Sequence, residues 1–275
     1  AALVCAPLSF LSLLPFMNNI ISQSKQKVNF PALALPRRGC YNLSDMRYVI
    51  SDIHGEYALF MRLLEKIKFS DGDVIYVCGD MVDKGTESVR LLKTLLYMPN
   101  AHCILGNHEY GFLAYYWAVM KNSPSDFGGV LADLKRWFPF DGDLLDWDIV
   151  DRLERLPLYM EEEQFICVHA GLPLDDDDRI VPPALVRDMI MLEDRTFMRP
   201  EVVPKGSKCI FFGHTPTRNL YEGDGIVACR REGRAGGSIS DYYKVHLDTG
   251  VWLGGVLGCF CIDTCRAHYV KKFNY

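Results

Sequence analysis

An α/β fold with mainly parallel strand pairing is predicted for most of this chain by two features of its pattern. Short runs rich in Val, Ile, Phe and Cys alternate with segments of helical periodicity, and polar, glycine-bearing clusters follow the runs. The runs Tyr48–Ile50, Val74–Cys78, Cys103–Leu105, Phe165–Val168 and Cys209–Phe212 are continuously apolar, as strands buried on both faces are. Between the first two, Leu59, Phe60, Leu63, Leu64 and Ile67 recur at helical spacing, with Arg62, Glu65 and Lys66 on the opposite face. After Gly85, Thr86 reads as the N-cap of a helix carrying Val89, Leu92, Leu95 and Leu96.

The span from Tyr110 to Pro157 has another character. It holds Trp117, Trp137, Trp147 and many Leu without strand alternation, and reads as a helical insertion. Beyond His214, the segments Gly225–Cys229, Tyr242–Asp248 and Val256–Ile262 read as antiparallel strands. The Arg- and Gly-rich stretch Arg230–Gly237 reads as a hairpin loop.

The first 45 residues stand apart. They are apolar up to Lys25, the first charged side chain, yet show neither a basic leading region nor a clear cleavage site. Pro7, Pro15, Asn18 and Asn19 oppose a regular membrane-spanning helix. Met46 directly precedes the first strand, so residues 46–270 are expected to form the folded domain. Residues 1–45 are then an extension, or lie upstream of the true start.

Bulk composition narrows the function. A net charge of −5 and a pI near 5.8 provide no global field for a polyanion, so nucleic acid is not expected as the main partner. Ten cysteines in 275 residues are too sparse for a disulfide scaffold. Cys78, Cys103, Cys167 and Cys209 lie in apolar runs, and Cys259, Cys261 and Cys265 lack the two-pair spacing of a zinc site. Reduced thiols and a cytoplasmic location are the expectation.

Five polar clusters carry the chemistry: Asp52-Ile53-His54-Gly55, Gly79-Asp80-Met81-Val82-Asp83-Lys84-Gly85, Gly106-Asn107-His108-Glu109, His169-Ala170-Gly171 and Gly213-His214-Thr215. Alone, each reads as a solvated turn or a helix cap. Together they place carboxylate, amide and imidazole donors at successive strand ends, where open α/β sheets bind ligands. Asp52 and His54, two apart, are expected to point the same way from an extended segment and hold one ion. Asp80 can bridge to a second ion held by Asn107, His169 and His214. Two divalent ions bring four positive charges and Asp52 with Asp80 cancel two, which suits a bridging hydroxide and an anionic ester. The donor set, free of thiolate, fits Mn²⁺, Fe or Zn²⁺ better than a soft metal. His108 is better placed as a general acid than as a ligand, with Asp83 holding it protonated and Lys84 contacting a phosphoryl oxygen.

Asp-x-His, Gly-Asp-x-x-Asp and Gly-Asn-His-Glu together resemble the calcineurin-like metallophosphoesterase signature. The forms Gly-Asp-Met-Val-Asp-Lys-Gly and Gly-Asn-His-Glu, with the later His-Ala-Gly and Gly-His-Thr, resemble the phosphoprotein phosphatases, the bacterial and phage branch above all. The resemblance runs from about Met46 to Cys265. It implies a two-sheet α/β sandwich flanked by helices, and a Mn²⁺-supported phosphomonoesterase acting on Ser/Thr phosphoproteins, with no membrane partner. It also implies that Asp52, His54 and Asp80 bind one metal, that Asp80, Asn107, His169 and His214 bind the other, and that His108 paired with Asp83 is the acid. Lys84 stands where the family has a phosphate-contacting Arg, and Ser51 where the opening motif has Gly. A second phosphate-contacting Arg is expected between His169 and His214; Arg195 is the candidate and Arg187 its rival. A symmetrical dinucleoside-tetraphosphate hydrolase shares the metal motifs but typically carries Gly-Asn-His-Asp, so Glu109 favours the phosphatase. A catalytically inactive relative is opposed by the complete ligand set and by His108.

Overall fold

A computed structural model describes residues 45–122 and 147–272. The N-terminal extension, Trp137 and the middle of the predicted helical insertion lie outside the described residues. The rest forms two five-stranded mixed sheets with helices. In the first sheet β1 (Arg47–Ile50), β2 (Val74–Val77) and β3 (Ala101–Cys103) are parallel. Two antiparallel strands, β9 (Val256–Cys261) and β10 (Arg266–Lys271), extend it beyond β1. In the second sheet β5 (Phe165–Val168), β6 (Cys209–Phe212) and β8 (Tyr242–His246) are parallel. Its edges are the antiparallel β4 (Tyr159–Glu161) and β7 (Val227–Arg230).

Alternation along the strands explains why the runs are apolar throughout. Val49, Phe165, Cys167, Cys209, Phe211 and Val245 join Tyr76 and Phe260 in one buried cluster between the sheets. Their neighbours Ile50, Ile166, Val168, Ile210 and Phe212 turn to the other face, into the cluster that includes the helices. Each fully buried Phe here contributes about 1.5–3 kcal/mol by leaving water.

Helix α1 (Tyr57–Ile67) buries Leu59, Phe60, Leu63 and Leu64, as its periodicity predicts, and ends on Lys68 in the left-handed conformation. Helix α2 (Ser88–Tyr97) buries Val89, Leu91, Leu92 and Leu95. Its cap position is Glu87 rather than Thr86, with no side-chain cap; the Glu87 N–H instead donates to the Gly55 carbonyl at 3.1 Å. Helix α3 (Asn107–Asn122) and helix α4 (Trp147–Glu154) supply the helical character expected of the insertion. A short helix α5 (Asp188–Glu193) follows β5.

Three readings of the strands change. β8 pairs in parallel with β6, not only antiparallel with β7, because the chain crosses over through residues 217–241. β4 and β10 were not expected. Both are edge strands, half exposed and therefore without a continuous apolar run. The eight described cysteines are all free. Among the described residues no helix is long and apolar enough to cross a membrane.

Candidate metal centre and active site

All six parallel strands run out at one edge of the sandwich, each close to a polar cluster. After β1 come Ser51, Asp52 and His54; after β2, Asp80. Beyond β3, Ile104, Leu105 and Gly106 lead into α3 at Asn107. After β5 comes His169, and after β6, His214. The local backbone is not extended, contrary to expectation. Asp52 (φ 52°), His54 (φ 48°), Asp80 (φ 54°), Asp83 (φ 67°), Lys84 (φ 67°) and His214 (φ 71°) all adopt the left-handed region. Such conformations cost of order 1 kcal/mol or more each in a non-glycine residue and concentrate at functional sites. They turn Asp52 and His54 inward through tight turns, not through strand alternation. Asn107 and His108 diverge because they are successive residues of a helix. At Gly213 a Cβ would overlap the Asp52 carboxylate, and at Gly106 one would overlap Asp80.

The donor atoms converge. His54 Nδ1 donates to the Val82 carbonyl at 2.9 Å, which leaves Nε2 as a lone pair 3.9 Å from Asp52 Oδ1 and 3.7 Å from Asp80 Oδ2. His169 Nδ1 donates to the Cys78 carbonyl at 2.8 Å, so its Nε2 faces Asp80 Oδ1 at 3.4 Å and Asn107 Oδ1 at 2.8 Å. His214 Nδ1 lies 3.1 Å from Asn107 Oδ1 and 3.2 Å from His169 Nε2. Asp80 thus presents one oxygen to His54 and the other to His169. Asp52 is fixed by the Ser51 hydroxyl at 2.5 Å and by the His214 N–H, 3.0 Å from Oδ2.

These residues fit a pair of cations. Asn107 Oδ1 and His169 Nε2 are both acceptors, and such a close pair is repulsive without positive charge beside it. Burial pushes the Asp52 and Asp80 carboxyls well above the usual range, with Asp248 adding to the effect on Asp52, and Asp52 to that on Asp80. Burial also lowers His54 well below the ordinary histidine value, His169 to about 3 and His214 to about 2. Neutral imidazoles beside crowded carboxylates are a donor set that binding of cations would complete. Two groups, His54 with Asp80 and His108, and Asp52 with Asp80 and His169, each bring ligand atoms within 4.8 Å of one another.

His108 stands at the mouth. Its Nδ1 donates to Asp83 Oδ2 at 2.8 Å, and its Nε2 lies 3.7 Å from Asp80 Oδ2. Burial alone would raise Asp83; the His108 hydrogen bond and charge, with Lys84, outweigh it and hold the carboxyl at about 2. An ionised partner on Nδ1 suits a proton donor at Nε2 better than a ligand.

Residues 47–245 match the family model of the calcineurin-like phosphoesterases. The chain belongs to the calcineurin-like phosphoesterase family. A symmetrical bis(5'-nucleosyl)-tetraphosphatase of Salmonella paratyphi C (strain RKS4594) is 33% identical over 129 residues, covering 46% of this chain and 43% of that protein. The Salmonella typhimurium (strain LT2) counterpart is 32% identical over the same shares. The match therefore spans less than half the length of these curated relatives. A solved structure described as a candidate diadenosine tetraphosphatase superposes with a TM-score of 0.61 at 20% identity, covering 86% of this chain and 97% of that one.

In this calcineurin-like phosphoesterase, the two expected phosphate contacts lie on the rim. Lys84 Nζ sits 3.7 Å from Asp83 Oδ2 and 5.1 Å from the centre of the Trp252 ring. Arg195 is exposed, two residues past α5, and its positive charge is among those that lower His214. Arg187, also exposed, precedes α5. The segment after Arg195 is anchored: buried Lys244 donates to the carbonyls of Phe197, Arg199 and Val202 at 3.2, 2.7 and 2.8 Å. Asp194 Oδ2 also accepts the Thr196 and Phe197 N–H groups.

Asp248 and Glu193 escaped sequence reasoning, and Glu109 has a role other than the one expected of it. Glu109 is fully buried, and its two oxygens accept the N–H groups of Asp80, Met81, Val82 and Gly106 at 2.7–2.9 Å. It therefore clamps the Asp80 loop from a fully buried position. Asp248 follows β8 as the other clusters follow their strands; its Asp-Thr-Gly pattern was the available signal. Burial pushes its carboxyl up to about 7. Glu193, at the end of α5, reaches the His214 ring.

Proposed function

We propose that this chain is a binuclear metal-dependent phosphomonoesterase that hydrolyses phosphoserine and phosphothreonine in proteins. The observation that carries the reading is the Asp83–His108 pair set 3.7 Å from Asp80, at the mouth of the converging donor set. Asp52, His54 and Asp80 would hold one divalent ion, and Asp80, Asn107, His169 and His214 the other, with Mn²⁺ preferred and Fe or Zn²⁺ compatible with the donors. Such a pair of ions activates a water and neutralises the phosphoryl oxygens of an in-line displacement. His108 delivers the Nε2 proton to the leaving serine or threonine oxygen while Asp83 balances the ring charge. Lys84 and Arg195 hold the remaining phosphoryl oxygens from the rim. Support for a protein substrate comes from the motif forms along Met46–Cys265.

A second reading is a symmetrical dinucleoside-tetraphosphate hydrolase, favoured by the names of the curated relatives. Because Glu109 acts on backbone, it does not separate the two by contact. Side-by-side turnover of a phosphoserine peptide and diadenosine tetraphosphate in Mn²⁺ tests the ranking. Higher kcat/KM on the peptide is expected; a strong preference for the dinucleotide overturns it.

A further inference from the structure

Glu193 is a carboxylate beside the second ligand group that the family motifs do not include. Its Oε2 lies 4.0 Å from His214 Nε2, and it also accepts a hydrogen bond from the Asn107 side chain. His214 Nε2 is buried and has no hydrogen-bond partner, while its Nδ1 points at Asn107 Oδ1 and His169 Nε2. A carboxylate can only accept, so Glu193 takes the NH₂ end of Asn107 and turns the amide oxygen inward. The same carboxylate lies 4.0 Å from His214 Nε2, outside hydrogen-bond distance, and sets its negative charge on the outer side of that ring. Helix α5, which carries Glu193, is fastened to the His169 strand end: the Ala170 N–H donates to the Met191 carbonyl at 2.8 Å, and Met191 and Leu192 are buried.

We propose that Glu193 is a positioning residue of the metal centre. It orients Asn107, one of the four groups assigned to the second ion, so that the amide oxygen points inward, and places a negative charge behind His214, another of the four. The inference rests on the binuclear reading above. Groups that hold metal ligands from outside commonly govern affinity by about 10–100-fold.

The test is Mn²⁺ titration of the full chain, read as ions bound per chain and their dissociation constants, for wild type, Glu193→Ala and Glu193→Gln. Two ions are expected in wild type. In Glu193→Ala one of the two should weaken by about 10–100-fold with the other nearly unchanged. Glu193→Gln, which keeps an acceptor oxygen for Asn107, should lose less. Equal affinities in all three proteins, with two ions bound, overturn the role of Glu193 and leave the binuclear reading standing. Fewer than two ions in wild type overturns both. A metal-independent reading guards against misfolding: in the ¹⁵N spectrum of the metal-free, folded chain the Asn107 side-chain NH₂ signal should shift in Glu193→Ala, which removes its acceptor. An unchanged Asn107 signal also overturns the proposal.

Discussion

Replacing Glu109 by Gln tests whether this carboxylate is the clamp of the metal loop. Its Oε1 accepts Met81 and Val82 N–H at 2.7 and 2.9 Å, and its Oε2 accepts Asp80 and Gly106 N–H at 2.8 and 2.9 Å, all out of water. A glutamine keeps one oxygen for two of these donors. Its NH₂ group must then face the other two, donor against donor. Two buried N–H groups left without acceptors cost about 1–3 kcal/mol each, so the loss is roughly 2–6 kcal/mol. Removing the negative charge also relieves Asp52 and Asp80, both of which Glu109 pushes upward, so the lower half of that range is expected. Urea unfolding of metal-free wild type and Glu109→Gln measures it directly. A loss below about 0.5 kcal/mol with an unchanged m-value would refute the clamp. Glu109→Asp carries the argument to specificity. A shorter side chain should weaken the same loop and lower turnover of phosphopeptide and diadenosine tetraphosphate in parallel. A changed ratio between the two substrates would mean that position 109 selects substrate after all.

His108→Ala should lower kcat on a phosphoserine peptide by about 10²–10⁴-fold, because an alkoxide leaving group needs the Nε2 proton; equal rates would remove His108 from the mechanism. Lys84→Ala should raise KM by about 10–100-fold if the ammonium binds phosphate, whereas Lys84→Arg, with a bidentate fork, should tighten inhibition by inorganic phosphate. Unchanged KM in the first variant would exclude the contact. His246, stacked on Phe212 with ring centres 4.6 Å apart, is pushed down to about 4 by burial. The unfolded chain therefore binds its proton between about pH 6.5 and 4 and the folded chain does not. That stability is present above 6.5 and is lost as pH falls. His246→Gln should make the unfolding free energy shallower in this window by up to ~1.4 kcal/mol per pH unit; an unchanged slope would refute the buried neutral ring.

The donor residues were legible because each follows an apolar run, and a run buried on both faces leaves a plain signal. Their geometry was not. An extended segment was expected to align Asp52 with His54, whereas paired left-handed residues turn both inward, and backbone handedness leaves no trace in residue spacing. Asp248 stayed hidden because Tyr242–Asp248 was read as antiparallel. Alternation cannot tell pairing direction, and only the parallel register of β8 on β6, with His246 beside Phe212, brings Asp248 to the ligand edge. Glu109 stood in a recognised cluster, but its four backbone contacts come mostly from a loop distant in sequence and leave no trace in spacing; Glu193 acts on a ligand distant in sequence, and no local pattern announces it.

These acidic groups alter the charge argument. With Asp52 and Asp80 alone, two divalent ions leave a net of two positive charges. Asp248 and Glu109 act electrostatically on Asp52 and Asp80. If all four carboxylates are ionised the four positive charges are cancelled. Asp248, raised to about 7, is partly protonated near neutrality before ions bind. Ion binding should then draw its proton off, bringing the centre closer to neutral than the motif residues alone suggest. On the proposed reading, attraction of a phosphate dianion then falls more heavily on the rim cations Lys84 and Arg195. Lys84 is held between Asp83 and the Trp252 ring, so the position that departs from the family pattern is the one where substrate affinity is most exposed to change.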